Sequence, residues 1–237
     1  MIEQAWEGGV VAEVAGERLM LLAERAAYWE RRRTLLLADP HFGKAAAFRA
    51  AGVPVPRGTT TGSLARLDAA LSRTSATRIV FLGDFLHARE GREPETTRVV
   101  GEWRRRHAAV DMVLVRGNHD KRAGDPGPEI DLRCVDAPIN EPPFVFTHKP
   151  AVSDHGYVIC GHVHPAARLT GLGRESVRLA CFWAQARTMV LPAFGEFTGV
   201  AEIDAQPGDR VWVIADGVVT RVFFKGSDPL IPPDQGV

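Results

Sequence analysis

The sequence predicts an α/β fold, and three observations support this prediction. Short apolar runs of strand length recur along the chain, and two segments with helical periodicity lie between them. Strand-like segments with hairpin turn signals follow after about residue 175. Strands that alternate with helices are typical of α/β proteins. The 237 residues suffice for one large domain or two small ones.

The predicted strands lack strict alternation of polar and apolar residues, as is typical of strands covered on both faces. They span residues 34–38, 78–82, 111–115, 144–146 and 157–160. The predicted helices span residues 62–73 and 96–110, and each carries an apolar face. Near the C-terminus, Ala215-Asp216-Gly217 is typical of a hairpin turn.

The composition excludes several classes of protein. Lys and Arg balance Asp and Glu at 29 each, which removes the strongest argument for a nucleic-acid partner but leaves room for a local basic groove. The three cysteines form no CxxC pair, which argues against a disulfide framework or a thiolate zinc site. We found no signal peptide and no apolar run near the roughly 20 residues of a membrane span. We therefore expect a cytoplasmic protein without a membrane partner.

Polar side chains of ligand type follow each predicted strand. They are Asp39 and His41; Asp84 and His87; Arg116, Asn118 and His119; His148; and His162 and His164. If the strands share one sheet region, their carboxyl ends meet at one edge, where α/β folds place ligand sites. The glycines before Asp84, Asn118 and His162 allow the tight turns that would aim these side chains at one point.

Two aspartates, one asparagine and four histidines are ligands that suit manganese, iron or zinc. These seven are Asp39, His41, Asp84, Asn118, His148, His162 and His164. They are too many for one tetrahedral ion but suffice for two ions that share a carboxylate. Two ions about 3.5–4 Å apart can clamp the attacking and leaving oxygens of a phosphoryl transfer. Alternatively, Asp39 and Asp84 are turn or cap residues, and the His162–His164 pair is a polar strand end.

The motifs DxH, GDxxH, GNHD, a lone His and GHxH occur in this order over residues 35–164. This series resembles the calcineurin-like metallophosphoesterases. Segments 38–60 and 191–199 are similar to the DNA-ligase-associated bacterial members, and that similarity covers most of the chain. The resemblance implies an α/β sandwich of two mixed sheets flanked by helices (αββα). We expect a single domain over residues 1–225 and a poorly ordered tail over residues 226–237.

The resemblance also implies a role for each motif residue. Asp39, His41 and His164 would hold a first divalent ion, and Asn118, His148 and His162 a second, with Asp84 bridging both. Manganese is the expected metal, with iron or zinc as alternatives. His119 would face the substrate as a general acid or a stabiliser of the leaving group. Pro40 stands where the pattern usually has Leu, and it stiffens this loop.

Several further residues have two interpretations each. His87 stands where phosphatases often carry Asp and is similar to the nuclease branch, which favours phosphodiesters; alternatively, it only fixes its loop. Arg116 either anchors a phosphate or braces the loop. Lys44, Arg49 and Arg57 either flank the mouth of the site or are solvated charges. His107 and His155 are expected to lie outside the site.

The predicted function is hydrolysis of a phosphodiester by a metal-bridging hydroxide that attacks phosphorus. Asn118, His119 and Arg116 would steady the phosphoryl oxygens, and His119 or His87 would assist the leaving oxygen. We expect a nuclease linked to DNA repair, with DNA as a substrate and with a DNA ligase and a helicase as associated proteins. The alternatives are a phosphodiesterase, pyrophosphatase or phosphatase of small molecules, and a metal-stabilised, non-catalytic partner in a repair assembly.

Overall fold

The computed structural model describes residues 5–6, 9–55, 58–88, 93–171, 173, 175–196 and 198–224. Arg57 and the predicted tail over residues 226–237 lie outside these described residues. The described helices are α1 (Lys44–Ala50), α2 (Thr59–Thr74), α3 (Pro94–Arg106) and α4 (Asn118–Ala123). None of them is long and apolar enough to cross a bilayer.

The strands form two mixed sheets. The first half of the chain contributes β1 (Ala5–Trp6), β2 (Gly9–Val14), β3 (Glu17–Leu22), β4 (Ala26–Trp29), β5 (Thr34–Leu37), β6 (Arg78–Phe81), β7 (Asp111–Val115) and β8 (Arg133–Val135). The second half contributes β9 (Ile139–Glu141), β10 (Phe144–Phe146), β11 (Tyr157–Cys160), β12 (Pro165–Thr170), β13 (Ser176–Ala184), β14 (Thr188–Val190), β15 (Ala201–Glu202), β16 (Arg210–Ala215) and β17 (Val218–Val222).

The first sheet has its eight strands in sequence order, from β1 to β8. Strands β1 to β5 pair antiparallel, as expected for segments joined by short turns, and β5 to β8 pair parallel. Helix α2 connects β5 to β6, and helix α3 connects β6 to β7. The carboxyl ends of β5, β6 and β7 therefore lie side by side at one edge.

The second sheet has the order β15-β12-β13-β14-β11-β10-β9, and the β16–β17 hairpin pairs with β13. In it, β10, β11 and β14 are parallel neighbours. The predicted hairpin turn is confirmed between β16 and β17, where Asp216 and Gly217 both have positive φ. The five predicted strands are thus shared between two sheets, with three in the first and two in the second.

The inner faces of the two sheets pack on each other. Their shared hydrophobic core includes Trp29 and Leu36 from the first sheet, and Phe144, Ile159 and Trp212 from the second. Trp29 lies edge-on to Phe144, with ring centroids 4.9 Å apart. This packing confirms the predicted architecture of two mixed sheets.

Helices α2 and α3 cover the outer face of the first sheet. Leu64, Leu67 and Leu71 of α2 recur at helical spacing and pack, with Trp103 of α3, in a cluster that includes Phe81 of β6. Alternate residues of the second sheet, among them Val145 and Val158, form a smaller cluster on its outer face.

The carboxyl edges of the two sheets meet through a bridge between Ala38, after β5, and Ala193, after β14. The peptide N–H groups of Asp39 and His41 donate to the carbonyls of Gly83 and Asp84, so the loops after β5 and β6 run side by side. The Gly161 N–H donates to the His148 carbonyl and links the loops after β10 and β11. The loops with the predicted ligands therefore form one continuous edge.

Candidate metal centre

Five of the seven predicted metal ligands have a backbone that only glycine adopts easily. The φ angles are 53° for Asp39, 45° for His41, 51° for Asp84, 71° for His162 and 54° for His164. A non-glycine residue in this region costs of order 1–3 kcal/mol, and it persists only where the surrounding structure imposes it. Five of the eleven non-glycine residues with positive φ in the described part of the chain are thus predicted metal ligands.

Asp39, His41 and His164 form the first group of ligand-type atoms, which all lie within 4.8 Å of one another. The Nε2 atoms of His41 and His164 are 3.4 Å apart. His164 Nε2 lies 3.7 Å from Asp39 Oδ2. This group matches the three side chains predicted to hold the first ion with Asp84.

Asp84, His148 and His162 form the second group, also within 4.8 Å. His148 Nε2 lies 3.0 Å from His162 Nδ1 and 3.0 Å from the Oδ1 of Asn118. The Asn118 side chain therefore points into this group, as the resemblance implies. All members of the predicted second set converge here.

Asp84 lies between the two groups. Its Oδ2 atom is 3.9 Å from His41 Nε2, and its Oδ1 atom is 3.5 Å from His148 Nε2. The N–H of His119 donates to Oδ1 over 2.9 Å and fixes the carboxylate in this orientation. One oxygen thus faces each group, which is the arrangement a bridging ligand requires.

Two of the four histidines predicted as metal ligands have one ring nitrogen engaged by the backbone. Nδ1 of His148 donates to the Leu82 carbonyl, and Nδ1 of His164 donates to the Gly199 carbonyl. Such bonds leave the Nε2 lone pairs free to face a metal ion. Burial lowers the pKa of His164 to about 4. Burial, followed by the charge of His164, lowers the pKa of His41 to about 2. Both imidazoles are therefore neutral near pH 7, as metal ligands must be.

Asp39 carries an unsatisfied buried oxygen. The His162 N–H donates to its Oδ2 atom over 2.7 Å, but Oδ1 is buried without a hydrogen-bond partner. Burial raises the pKa of the Asp39 carboxyl well above its usual range, and the nearby charge of Asp84 raises it further. A buried pair of carboxylates requires positive charge nearby. A pair of divalent cations fits this donor set.

Glycines occur where the metal-site loops touch. A Cβ atom at Gly83 would lie 2.1 Å from His148 Nδ1, and one at Gly117 would lie 2.1 Å from Asp84 Oδ1. A Cβ atom at Gly161 would lie 2.5 Å from Asp39 Oδ2. Of these three glycines, only Gly83 has positive φ. The close approach of the loops therefore explains why glycine occurs at all three positions. The tight turn predicted from sequence explains glycine only at Gly83.

His119 and His87 lie together beside the first group. Their rings stack with centroids 5.0 Å apart, and Nδ1 of His119 lies 2.6 Å from the His87 carbonyl oxygen. The Nδ1 atoms of His87 and His41 are 3.4 Å apart, so His41, His87 and His119 form a third group within 4.8 Å. Nε2 of His119 is 3.9 Å from Asp84 Oδ2. Both predicted catalytic histidines therefore border the centre.

Arg116 lies close to the centre, but its guanidinium group is engaged. It makes two 2.7 Å hydrogen bonds to Asp125, and its Nη1 lies 3.5 Å from Asp136. This pairing with two carboxylates braces the loop. Any contact of Arg116 with a phosphate would require the bidentate pair to open.

The other charged candidates have different environments. Lys44 is half-buried beside His41, with its ammonium 5.6 Å from the Phe48 ring centroid. Arg49 pairs with Glu93 at 3.3 Å. His107 and His155 lie outside the ligand groups, as expected: His107 bonds Asp68 at 2.7 Å, and His155 is exposed in its loop.

Sequence reasoning missed Asp120 as a structural residue of the site. This carboxylate is buried, and it accepts hydrogen bonds from the N–H groups of Gly117 at 2.8 Å and Leu86 at 3.2 Å. It thus ties the loop of Asn118 to the loop of His87. Its position three residues after Gly117 is the spacing of a capping-box acid at a helix start, which was the available signal.

Comparison with known proteins agrees with this geometry. A calcineurin-like phosphoesterase family profile matches residues 32–179, which is more than half of the chain. The chain belongs to the calcineurin-like phosphoesterase family. It is therefore a metal-dependent phosphoester hydrolase, and the family uses divalent metal ions.

The Pseudomonas putida nuclease MPE, known from a crystal structure, shares 42% sequence identity with this chain. The two structures align with a TM-score of 0.80, and the alignment covers 90% of this chain and 100% of the nuclease. The E. coli phosphoesterase Yfce is 13% identical over 80% of this chain and 97% of its own, at TM-score 0.41. The Aquifex aeolicus protein AQ665, of unknown function, is 20% identical in sequence. The alignment covers 55% of this chain and 78% of AQ665, with a TM-score of 0.37. No curated protein matches the chain.

Proposed function

We propose that this phosphoesterase is a phosphodiesterase with two divalent metal ions, and that its substrate is DNA. The observation that carries the proposal is the position of Asp84, whose two oxygens face two separate ligand groups at 3.9 and 3.5 Å. Similarity to a nuclease at 42% identity supports a phosphodiester in nucleic acid as the substrate.

Two sets of side chains would hold the ions. Asp39, His41 and His164 would hold one ion, Asn118, His148 and His162 the other, and Asp84 would contact both. Manganese is the proposed metal, because carboxylate, amide and imidazole ligands without thiolates suit it. When bound, two such ions activate a water molecule and stabilise negative charge on the phosphoryl oxygens.

His119 is the proposed general acid. Its Nδ1–H is held by the His87 carbonyl at 2.6 Å, so Nε2 is the ring nitrogen left to face a substrate. A proton on Nε2 would pass to the leaving oxygen, and such general acids contribute roughly 10²–10⁴-fold to the rate. The His87 ring, stacked on His119 and next to His41, is placed to contact the same leaving group.

The biological setting is also part of the proposal. We propose that the enzyme acts in DNA repair in the cytoplasm, in association with a DNA ligase and a helicase. The resemblance of segments 38–60 and 191–199 to ligase-associated phosphoesterases supports this setting. The free thiols of Cys134, Cys160 and Cys181 agree with a reducing compartment.

A substrate panel tests the proposed function. Metal-free protein would be loaded with manganese and assayed with a generic diester, a generic monoester, single-stranded DNA and cyclic nucleotides, beside an Asp84→Asn variant. We expect the diester and the DNA to be turned over, and Asp84→Asn to lose that activity. Faster turnover of the monoester than of either phosphodiester would contradict the proposal.

A further inference from the structure

A groove opens beside the second ligand group, next to Asn118 and His148. Its volume is about 410 Å³. Its remaining walls come from the turn before α4, from α4, from the loop after β8 and from the loop after β10, and they include Arg116, Lys121 and Lys149. A ligand in this groove would touch the proposed metal centre at one end.

The charge of the groove comes from two lysines. No acidic residue is among the lining residues described, and Arg116 is neutralised by its pairing with Asp125 and Asp136. Lys121 is exposed and Lys149 is exposed, and neither has an ion-pair partner within 4.0 Å in the part of the chain that the structure describes. Two lysines therefore line this groove without an ion-pair partner in the described part of the chain.

The backbone that presents Lys149 is fixed. The Thr147 hydroxyl donates to the Lys149 carbonyl over 2.7 Å, and the Thr188 hydroxyl donates to the Ala151 carbonyl over 2.7 Å. In α4, the N–H of Lys121 donates to the Gly117 carbonyl. The backbone segments that carry the two lysines are thus held in place before any ligand binds, which lowers the ordering cost of the backbone.

The opposite side of the centre has mixed charge. Glu196 lines the cavity beside His164 together with Arg25 and Arg178, and it lines the small cavity beside His41 together with Lys44. It also pairs with Arg66 at 3.7 Å. A carboxylate repels phosphate, whereas the lysine groove attracts it. Of these three cavities, the groove beside Asn118 and His148 is the one whose described lining residues include no carboxylate.

From this asymmetry we infer that the groove between Lys121 and Lys149 binds the phosphate adjacent to the scissile one in a polynucleotide strand. The inference rests on the proposed phosphodiesterase function and deepens it. A substrate with one phosphate would use the metal centre alone, whereas a strand would also engage the two lysines. The groove would thus make the enzyme prefer polynucleotides to small diesters, although the chain has no net charge.

The test compares two substrates that differ by one phosphate. A thymidine dinucleotide contains one phosphodiester, and a thymidine trinucleotide contains two. We expect manganese-loaded wild-type protein to show a kcat/KM at least tenfold higher for the trinucleotide, beyond the factor of two for its second bond. In a Lys121→Gln/Lys149→Gln variant this gain should fall below threefold, while turnover of the dinucleotide stays within twofold of wild type.

The control variant is Arg105→Gln/Arg106→Gln, which removes the same two charges from the exposed end of α3. This control variant should keep the at least tenfold higher kcat/KM for the trinucleotide over the dinucleotide. The salt dependence of kcat/KM for the trinucleotide should also weaken in the lysine variant, by about 0.7 in the log–log slope for one neutralised phosphate on a single strand.

Each other outcome has a distinct meaning. If wild type turns over the dinucleotide without a gain for the trinucleotide, the inference fails and the proposed phosphodiesterase function stands. Equal losses on both substrates in the lysine variant would place the lysines at the reacting phosphate and overturn the inference. Retention of the full gain in the lysine variant would also overturn it. If wild type hydrolyses neither substrate, the proposed function fails, and the inference with it.

Discussion

Replacement of Asp120 should weaken both the fold and the active site. In Asp120→Ala, the N–H groups of Gly117 and Leu86 lose their acceptor, and both bonds are buried. A buried unsatisfied group costs about 1–3 kcal/mol, so two such groups give a loss of about 2–6 kcal/mol in the free energy of unfolding. That is a large part of the 5–15 kcal/mol typical of a domain.

The same change should reduce turnover, because the two released loops carry Asn118 and His119 on one side and His87 on the other. A misplacement of about 1 Å at an active site can cost about 10²-fold in rate. Denaturant unfolding of the metal-free protein would give the stability, and kcat/KM on a generic diester the activity. Asp120→Asn, which retains one acceptor, should show about half of the stability loss.

The control for these variants is Asp154→Ala, which removes a fully exposed carboxylate in an ion pair with Arg187. Exposed pairs contribute about 0–1 kcal/mol, so this variant should unfold like wild type. If Asp120→Ala also unfolds within 0.5 kcal/mol of wild type and keeps its kcat/KM, the loops are not coupled through this carboxylate, and our explanation of Asp120 is wrong.

Three further substitutions test individual roles in the site. His119→Ala should keep its full metal content by elemental analysis but lose roughly 10²–10⁴-fold in turnover; a lower metal content would make His119 a ligand. His87→Asp should lower the ratio of diester to monoester kcat/KM at least tenfold, about 1.4 kcal/mol; an unchanged ratio on a diester with a natural leaving group would make His87 structural. Gly117→Ala, whose Cβ would lie 2.1 Å from Asp84 Oδ1, should lose metal and activity. Gly173→Ala, with open space around its Cβ, should change neither, and a metal-loaded Gly117→Ala would contradict the close-approach argument.

Much of the site could be predicted because each ligand follows a strand with a clear apolar pattern. Strands β7, β10 and β11 have the predicted bounds, and β5 and β6 end one residue earlier. The residues that follow these strands converge as expected. Local sequence specifies where a buried strand ends, and in parallel sheets that end is where a ligand site lies.

The division of these strands between two sheets could not be predicted from the runs themselves. A strand covered on both faces has the same apolar pattern in either sheet. The four N-terminal strands were also not recognised: β3 has four consecutive buried residues, and β4 is buried throughout. Such runs do not distinguish a strand from a buried helix.

The backbone conformation of the loops could not be predicted from the sequence either. Asp and His adopt positive φ more often than most residues, but the residue type alone does not indicate it at Asp39, His41 or His164. Contacts between the loops impose this backbone. The pairing of Arg116 with Asp125 joins two residues nine positions apart, and it depends on how the chain folds after α4. Tertiary contacts, more than local preferences, determine these features.

The central claim is that Asp84 joins two metal ions in one centre, and metal stoichiometry tests it most directly. Metal-free protein would be titrated with manganese, and bound metal would be measured at saturation in wild type and in His148→Ala. We predict two ions per chain in wild type and a loss of one, the ion of the second group, in the variant. Saturation at one ion per chain, unchanged in His148→Ala, would contradict the two-ion centre.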